Sequence, residues 1–297
     1  MLKMPIITKI VFLFLFIPFL AGAQEIPAYF KVASLPKSMD EVSEKVKSSL
    51  ESRGFKIIGE YNPENKDELK VIVYTRDDLK KICFGVKDRG ALAAALKIGL
   101  VKAESQIIVS MLNPVYLFYG YLRENIPDYT DLLDISEEAR KAMQSVGAEF
   151  EPFAGSVKEK KLVKYQYMIG MPGFDKPVEL KMFSSFNEGL EIIRTRIEEK
   201  TGSCIKVYEM VDVEKQIAVI GIGLYDAEIG EPKFLPIIGE ANIAAMPYEL
   251  ILQGNNASML HGRFRIAMHW PDLTMGTFSK IMKTPGEIED FMKTLTE

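Results

Sequence analysis

The residues best suited to chemistry gather in the last quarter of the chain. There are only two histidines, His261 and His269, and Met246, Met259, Met268 and Met275 lie close to them. Imidazole with thioether suits copper, and Met/His pairs also ligate haem iron. His261, His269 and Met259 are therefore the candidate metal set. The competing reading is core packing. Phe264, Ile266 and Met268 alternate at period two, which predicts a strand over 263–269 with Met268 on its buried face. His269 then points the other way, beside Trp270. On that opposite face Arg263, Arg265 and His269 form a basic stripe: either an anion contact, or a solvated sheet face with cross-strand partners such as Glu249. Tyr116, Phe118, Tyr119 and Tyr121 crowd the segment after Pro114, where they either line an apolar pocket or pack between two parts of the molecule. Arg263, Arg265, Trp270, Tyr116 and Tyr119 are the candidate ligand contacts.

No catalytic motif accompanies them. Gly221-Ile222-Gly223 lacks the third glycine of a dinucleotide fingerprint and sits within a predicted strand. There is no G-x-S-x-G and no H-E-x-x-H. A triad using either histidine would need neighbours that only the fold can supply. Asn256-Ala257-Ser258 matches a glycosylation sequon, too common a pattern to weigh.

The N-terminus predicts export. Lys3 and Lys9 precede an apolar run from Ile10 to Leu20, and Ala21-Gly22-Ala23 is an A-x-A cleavage site. The run is about half of what spans a bilayer, and no later segment is long enough to do so. Removing residues 1–23 takes two lysines and no acid, so the formal charge moves from -4 to -6. Such a chain is a poor nucleic-acid partner. A periplasmic or secreted location follows. Export permits a disulfide between Cys83 and Cys204, although one cysteine in each half at non-equivalent places favours buried free thiols.

The elements that must position these residues come as an internal repeat. Ser38-Met39-Asp40-Glu41 is a capping box, followed by Met39, Val42, Val46 and Leu50 on one helical face and by Gly54 as a stop. Ser185-Phe186-Asn187-Glu188 opens a second such helix, with Phe186, Leu190, Ile193 and Ile197 on one face and Gly202 as its stop. Leu69 to Tyr74 and Ile217 to Leu224 are matching strands, each followed by a short helix, Asp77 to Phe84 and Glu231 to Ile238. Strands Gln106 to Leu112 and Arg263 to His269 then run into Asn113-Pro114 and Trp270-Pro271, and final helices span Tyr129 to Ser145 and Gly286 to Leu295. On this alignment copy two gains seven residues in the hairpin around Gly254 to Ser258. The predicted organisation is a signal peptide over 1–23, a first module over 24–148, a linker over 149–160 and a second module over 161–297. Lys161 to Ile169 is expected to add a strand.

Ser38-Met39-Asp40-Glu41-Val42, Arg53-Gly54-Phe55-Lys56-Ile57 and the strand ending Leu112-Asn113-Pro114 resemble the domain-of-unknown-function 302 family, over about residues 30–145. Copy two looks like a diverged member, with Thr201-Gly202-Ser203-Cys204 where R-G-F-K stands. The resemblance implies an α+β fold of two modules, each a curved antiparallel sheet backed by helices, broadly like the TATA-binding-protein class. It implies no activity, and no functional residues carry over. The expectation is a non-enzymatic exported module that binds an unknown small molecule or periplasmic protein and holds no cofactor. Copper or haem handling through the second module is the alternative, and an enzyme is a further one.

Overall fold

The computed structural model describes residues 25–168 and 170–297. The expected signal peptide, 1–23, and its cleavage site lie outside the described residues. Among the described residues no helix is long and apolar enough to cross a membrane.

The first half runs β1 (Glu25–Leu35), α1 (Met39–Glu51), β2 (Lys56–Tyr61), β3 (Leu69–Thr75), α2 (Asp77–Cys83), β4 (Leu96–Ala103), β5 (Gln106–Leu112), α3 (Pro114–Leu122), α4 (Thr130–Gln144) and β6 (Glu151–Lys158). After the short α5 (Glu159–Leu162) come β7 (Val178–Met182), α6 (Phe186–Glu199), β8 (Cys204–Asp212), β9 (Ile217–Leu224), α7 (Glu231–Ile238), β10 (Tyr248–Gln253), β11 (Asn256–Met259), α8 (Gly262–His269), α9 (Met275–Lys280) and α10 (Thr284–Thr294). The result is α+β: two antiparallel sheets backed by helices.

Local chemistry accounts for the long helices. The Ser38 hydroxyl accepts the Glu41 amide at 3.3 Å, and Glu41 accepts the Ser38 amide at 3.0 Å, closing the capping box. At α6 the Ser185 hydroxyl accepts the Glu188 amide, but Glu188 reaches one residue further back, to the amide of Ser184. Gly54 and Gly202, at φ 78° and 104°, take the left-handed conformation that ends a helix cheaply only at glycine. Val42, Val46 and Leu50 of α1, and Leu190, Ile193 and Ile197 of α6, are buried as their spacing requires.

The two sheets share one strand order. The first is β2-β3-β4-β5-β1-β6, and the second is β8-β9-β10-β11-β7, the same sequence of equivalents without the sixth strand. Each carries an irregularity at the same place, between Ile57 and Gly59 in β2 and between Lys206 and Tyr208 in β8. Segment 149–160, read as a linker, contains β6, which pairs with β1 and covers that sheet edge.

Three expectations are corrected. Arg263–His269 is helix, not strand. The third strand pairing ends one segment earlier, at Met259, and α8 follows directly after the cap His261. His261-Gly262, not Trp270-Pro271, therefore occupies the place of Asn113-Pro114. The hairpin at Gly254-Asn255 is tight, with Gln253 opposite Asn256, so the extra residues of the second half lie after α8 and form α9. Lys161–Met168 forms no strand; the end of α5 and turns occupy it.

Candidate functional site

With His261 at the cap position, equivalent residues follow by count. Asn113 and His261 each accept the amide two residues on, at 3.1 and 3.2 Å. Beyond them Val115 matches Arg263, Leu117 matches Arg265, Gly120 matches Met268, and Tyr121 matches His269. In the sheets, register matches Gly59 with Tyr208 and Lys97 with Glu249.

These equivalents meet one another. The Tyr121 hydroxyl lies 2.9 Å from His269 Nε2. Lys97 Nζ donates to Glu249. A Cβ on Gly120 would sit 1.8 Å from Met268 Cε, and one on Gly59 would sit 2.1 Å from the Val207 carbonyl oxygen, beside Tyr208. Positions that face their own equivalents are the mark of an approximate two-fold arrangement. In a symmetric pair Lys97 would face another lysine. Here each position has a complementary partner instead: acid for base, a long side chain for glycine, imidazole for phenol.

The centre of this contact is a buried polar cluster. Arg265 and His269, four residues apart on α8, share its inner face and are each 1% exposed. Arg265 donates to the carbonyls of Ala245 and Pro247, the latter at 2.7 Å. Its guanidinium lies 3.8 Å from the Tyr248 ring centre, and its Nε is 3.5 Å from Glu249. Burial opposes the Arg265 charge, but Glu249 and the surrounding tyrosines outweigh it and hold the proton more firmly than usual. Burial pulls the Lys97 pKa down, with Glu249 opposing. Burial, helped by Arg265 and Lys97, pushes His269 well below the ordinary histidine range, so the ring is neutral at pH 7. The Tyr29 hydroxyl donates to the His269 carbonyl at 3.0 Å and lies 3.5 Å from Nδ1, and Asn242 donates to the same carbonyl. The sequence-level metal set is thus engaged elsewhere. His261 Nδ1 caps α8, His269 is ringed by tyrosines, and Met259 is buried in β11. Among the described residues no group of three or more His, Cys, Asp or Glu could hold a metal ion. Cys83 and Cys204 are both free and buried.

The aromatic cluster divides the same way. Tyr116 is buried and donates to the Met268 carbonyl at 2.9 Å, and Phe118 and Tyr121 are buried with it. Tyr119 alone turns outward, into a cleft of about 410 Å³ between β1, α3 and α4. There Arg140 lies over Phe150 at 5.1 Å, and Glu25, Glu137 and Glu159 line the same space.

The equivalent outer face of α8 borders a second cleft, of about 300 Å³. Arg263 and Ala267, at the places of Val115 and Tyr119, form its floor with Ile266. Tyr165, Tyr167, Met168 and Met171 supply one wall, and Trp270, Met275 and Phe278 another. Tyr165 donates to the Ala267 carbonyl at 2.7 Å, and Trp270 Nε1 to the Gly239 carbonyl at 3.3 Å, which ties both walls to the frame. Arg263 is half-buried and, among the described residues, is the only charged one lining this cleft. Of the candidate ligand contacts, the fold therefore brings Arg263 and Trp270 together, buries Arg265 and Tyr116 at the contact between halves, and sends Tyr119 to the other cleft. Sequence reasoning missed Met168, Met171 and Phe278, and took Met275 only as a methionine near the histidines. Their one signal was an excess of apolar side chains in segments too short to form core elements.

No family model matches the chain, and no curated protein matches it. Among solved structures it is similar to the crystal structure of an uncharacterised conserved DUF302 protein from Bacillus stearothermophilus. Identity is 13%, the match covers 40% of this chain and 98% of that one, and the TM-score is 0.35.

Proposed function

We propose that the protein is an exported, non-enzymatic binding module built from two diverged copies of one DUF302-like unit, and that the α8 cleft takes a small amphipathic anion: an apolar body with one carboxylate. The observation that carries this reading is Arg263. Its guanidinium makes no hydrogen bond or ion pair among the described residues, yet it lines a cleft otherwise walled by aromatic, aliphatic and thioether groups. A few placed polar groups in an apolar concavity are the usual composition of a small-molecule site, and a guanidinium matches a carboxylate in two parallel bonds. The leader-like residues 1–23 support export. The shared strand order and paired strand irregularities support duplication.

Trp270 is the only tryptophan and lines the cleft. Its fluorescence therefore reports occupancy. Titration with decanoate is expected to shift Trp270 emission saturably. Decanol, with the same chain and no charge, and the Arg263→Gln variant with decanoate are each expected to bind about tenfold more weakly, the loss of one charge-assisted pair. No saturable shift, or equal affinity for acid and alcohol, would remove the reading.

A copper site has a specific observation in its favour, though not at the histidines. Met168, Met171 and Met275 line one cleft, and thioethers select Cu(I). Stoichiometric copper lost on Met275→Leu would make this the leading function; a metal-free chain that binds decanoate would leave the first.

A further inference from the structure

Away from α8 a polar cleft of about 200 Å³ opens where the turn at Asp88-Arg89, the end of α3, Val163 and the pair Phe174-Asp175 meet. Arg89 and Arg123 come to it from different parts of the chain and share one platform. Their guanidinium carbons lie 5.3 and 6.0 Å from the centre of the Phe174 ring. Their hydrogen bonding is incomplete. Arg89 donates to the Phe174 carbonyl at 2.9 Å and Arg123 to the Val163 carbonyl at 3.3 Å. The carboxylate nearest Arg123, that of Asp175, stays 3.9 Å away, and Arg89 Nε is buried without a partner among the described residues.

The backbone that presents these side chains is strained. Asp88 and Arg89 have φ of 54° and 67°, and Arg123 combines φ 57° with ψ -138°. Residues with a Cβ persist there only where their surroundings over-determine them, and such residues concentrate at ligand clamps. Asp88, Glu124 and Asp175 complete the lining, so both signs of charge border one small space.

We propose that this cleft binds a small zwitterion carrying a carboxylate and an ammonium, the charge pair of a free α-amino acid. Two guanidiniums held against one aromatic ring offer the flat N–H forks that a carboxylate accepts. Three acids in the same lining disfavour a multiply charged anion and accept an ammonium. The volume falls below that of drug-sized pockets and suits a metabolite of a few heavy atoms.

Calorimetric titration of the full chain with glycine and L-serine, beside acetate, methylammonium and inorganic phosphate, tests this. Saturable binding of glycine and serine is expected, with acetate and methylammonium about tenfold weaker or worse, since each lacks one of the charge pairs. Arg89→Lys and Arg123→Lys should each weaken glycine by about tenfold, because lysine keeps the charge and loses the fork. Both should leave the Trp270 response to decanoate unchanged, which shows that the fold and the α8 cleft are intact. A variant that loses both responses is replaced by Asp175→Asn, expected to weaken glycine and spare acetate. No saturable binding of either amino acid, tighter binding of phosphate, or glycine binding that survives both lysine variants would overturn the assignment.

Discussion

Helices α3 and α8 hold the same place in the two halves and differ in opposite senses. Helix α3 presents Tyr116, Phe118 and Tyr121 inward, and its outer cleft mixes Arg140 with Glu25, Glu137 and Glu159. Helix α8 buries Arg265 and His269, and its outer cleft carries Arg263 alone among apolar walls. The inner difference lets one half complement the other where a symmetric pair would clash or repel. Of these two outer clefts, the outer difference leaves the one beside α8 with the field better suited to an anion. On the proposed reading, duplication followed by divergence would separate a face that locks from a face that binds.

The lock breaks most severely at its charges. Glu249→Ala strands Lys97 and Arg265 in the core and is expected to cost about 3–5 kcal/mol in urea unfolding. Reversing the pair, Lys97→Glu with Glu249→Lys, is expected not to recover the loss, because the moved ammonium would face Arg265. Full recovery would show that Arg265 plays no part in the asymmetry.

Next comes a second buried acid that joins the halves. Glu231 accepts from the amides of Leu224 and Glu64 and from the Tyr61 hydroxyl, and burial raises its pKa from 4.5 to about 7. A raised carboxyl binds its proton more tightly in the folded chain. Its contribution is therefore full below the unfolded pKa and lost as pH rises through the folded one. Relative to Glu231→Gln, the parent should lose about 3 kcal/mol of stability between pH 4 and pH 8. His269, with a depressed pKa, acts in the opposite sense below about pH 6.5 in both proteins and cancels in the comparison. Parallel stability curves for the two proteins would contradict this role.

Smaller effects separate rigid from yielding contacts at the paired glycines. Gly59→Ala meets backbone at Val207 and should cost about 2–3 kcal/mol, at the upper end for overpacking. Gly120→Ala meets only the flexible end of Met268 and should cost about 1 kcal/mol, with favourable coupling to Met268→Ala in a double-mutant cycle. Equal costs at the two glycines would mean that the contact is not backbone-limited. Smallest, Tyr121→Phe removes the hydroxyl at His269 Nε2 and should cost about 1–2 kcal/mol by leaving a buried ring nitrogen unpaired.

Much of this frame was legible in the sequence. The Ser38–Glu41 capping box, the Ser185 cap, the helix-stop glycines and the apolar strands are local signals, and each formed where its chemistry placed it, except that Glu188 closes on Ser184 instead of on Ser185. Helix α8 was not legible from periodicity. Phe264, Ile266 and Met268 alternate at period two, but their neighbours Arg265 and His269 are also buried, so the alternation reflects no exposed face. A better signal was present: Ser110-Met111-Leu112 before Asn113 and Ser258-Met259-Leu260 before His261 share three residues at the same strand end. The pairing of Lys97 with Glu249 was invisible for a different reason. Each lies at a buried position of a largely apolar strand, and only the approach of the two halves explains either.

The most direct test of the division between locking and binding faces is a structure of the chain with decanoate. The ligand is expected in the α8 cleft, its carboxylate on Arg263 and its chain against Trp270 and Met275. Decanoate in the α3 cleft beside Arg140, with the α8 cleft empty, would contradict it.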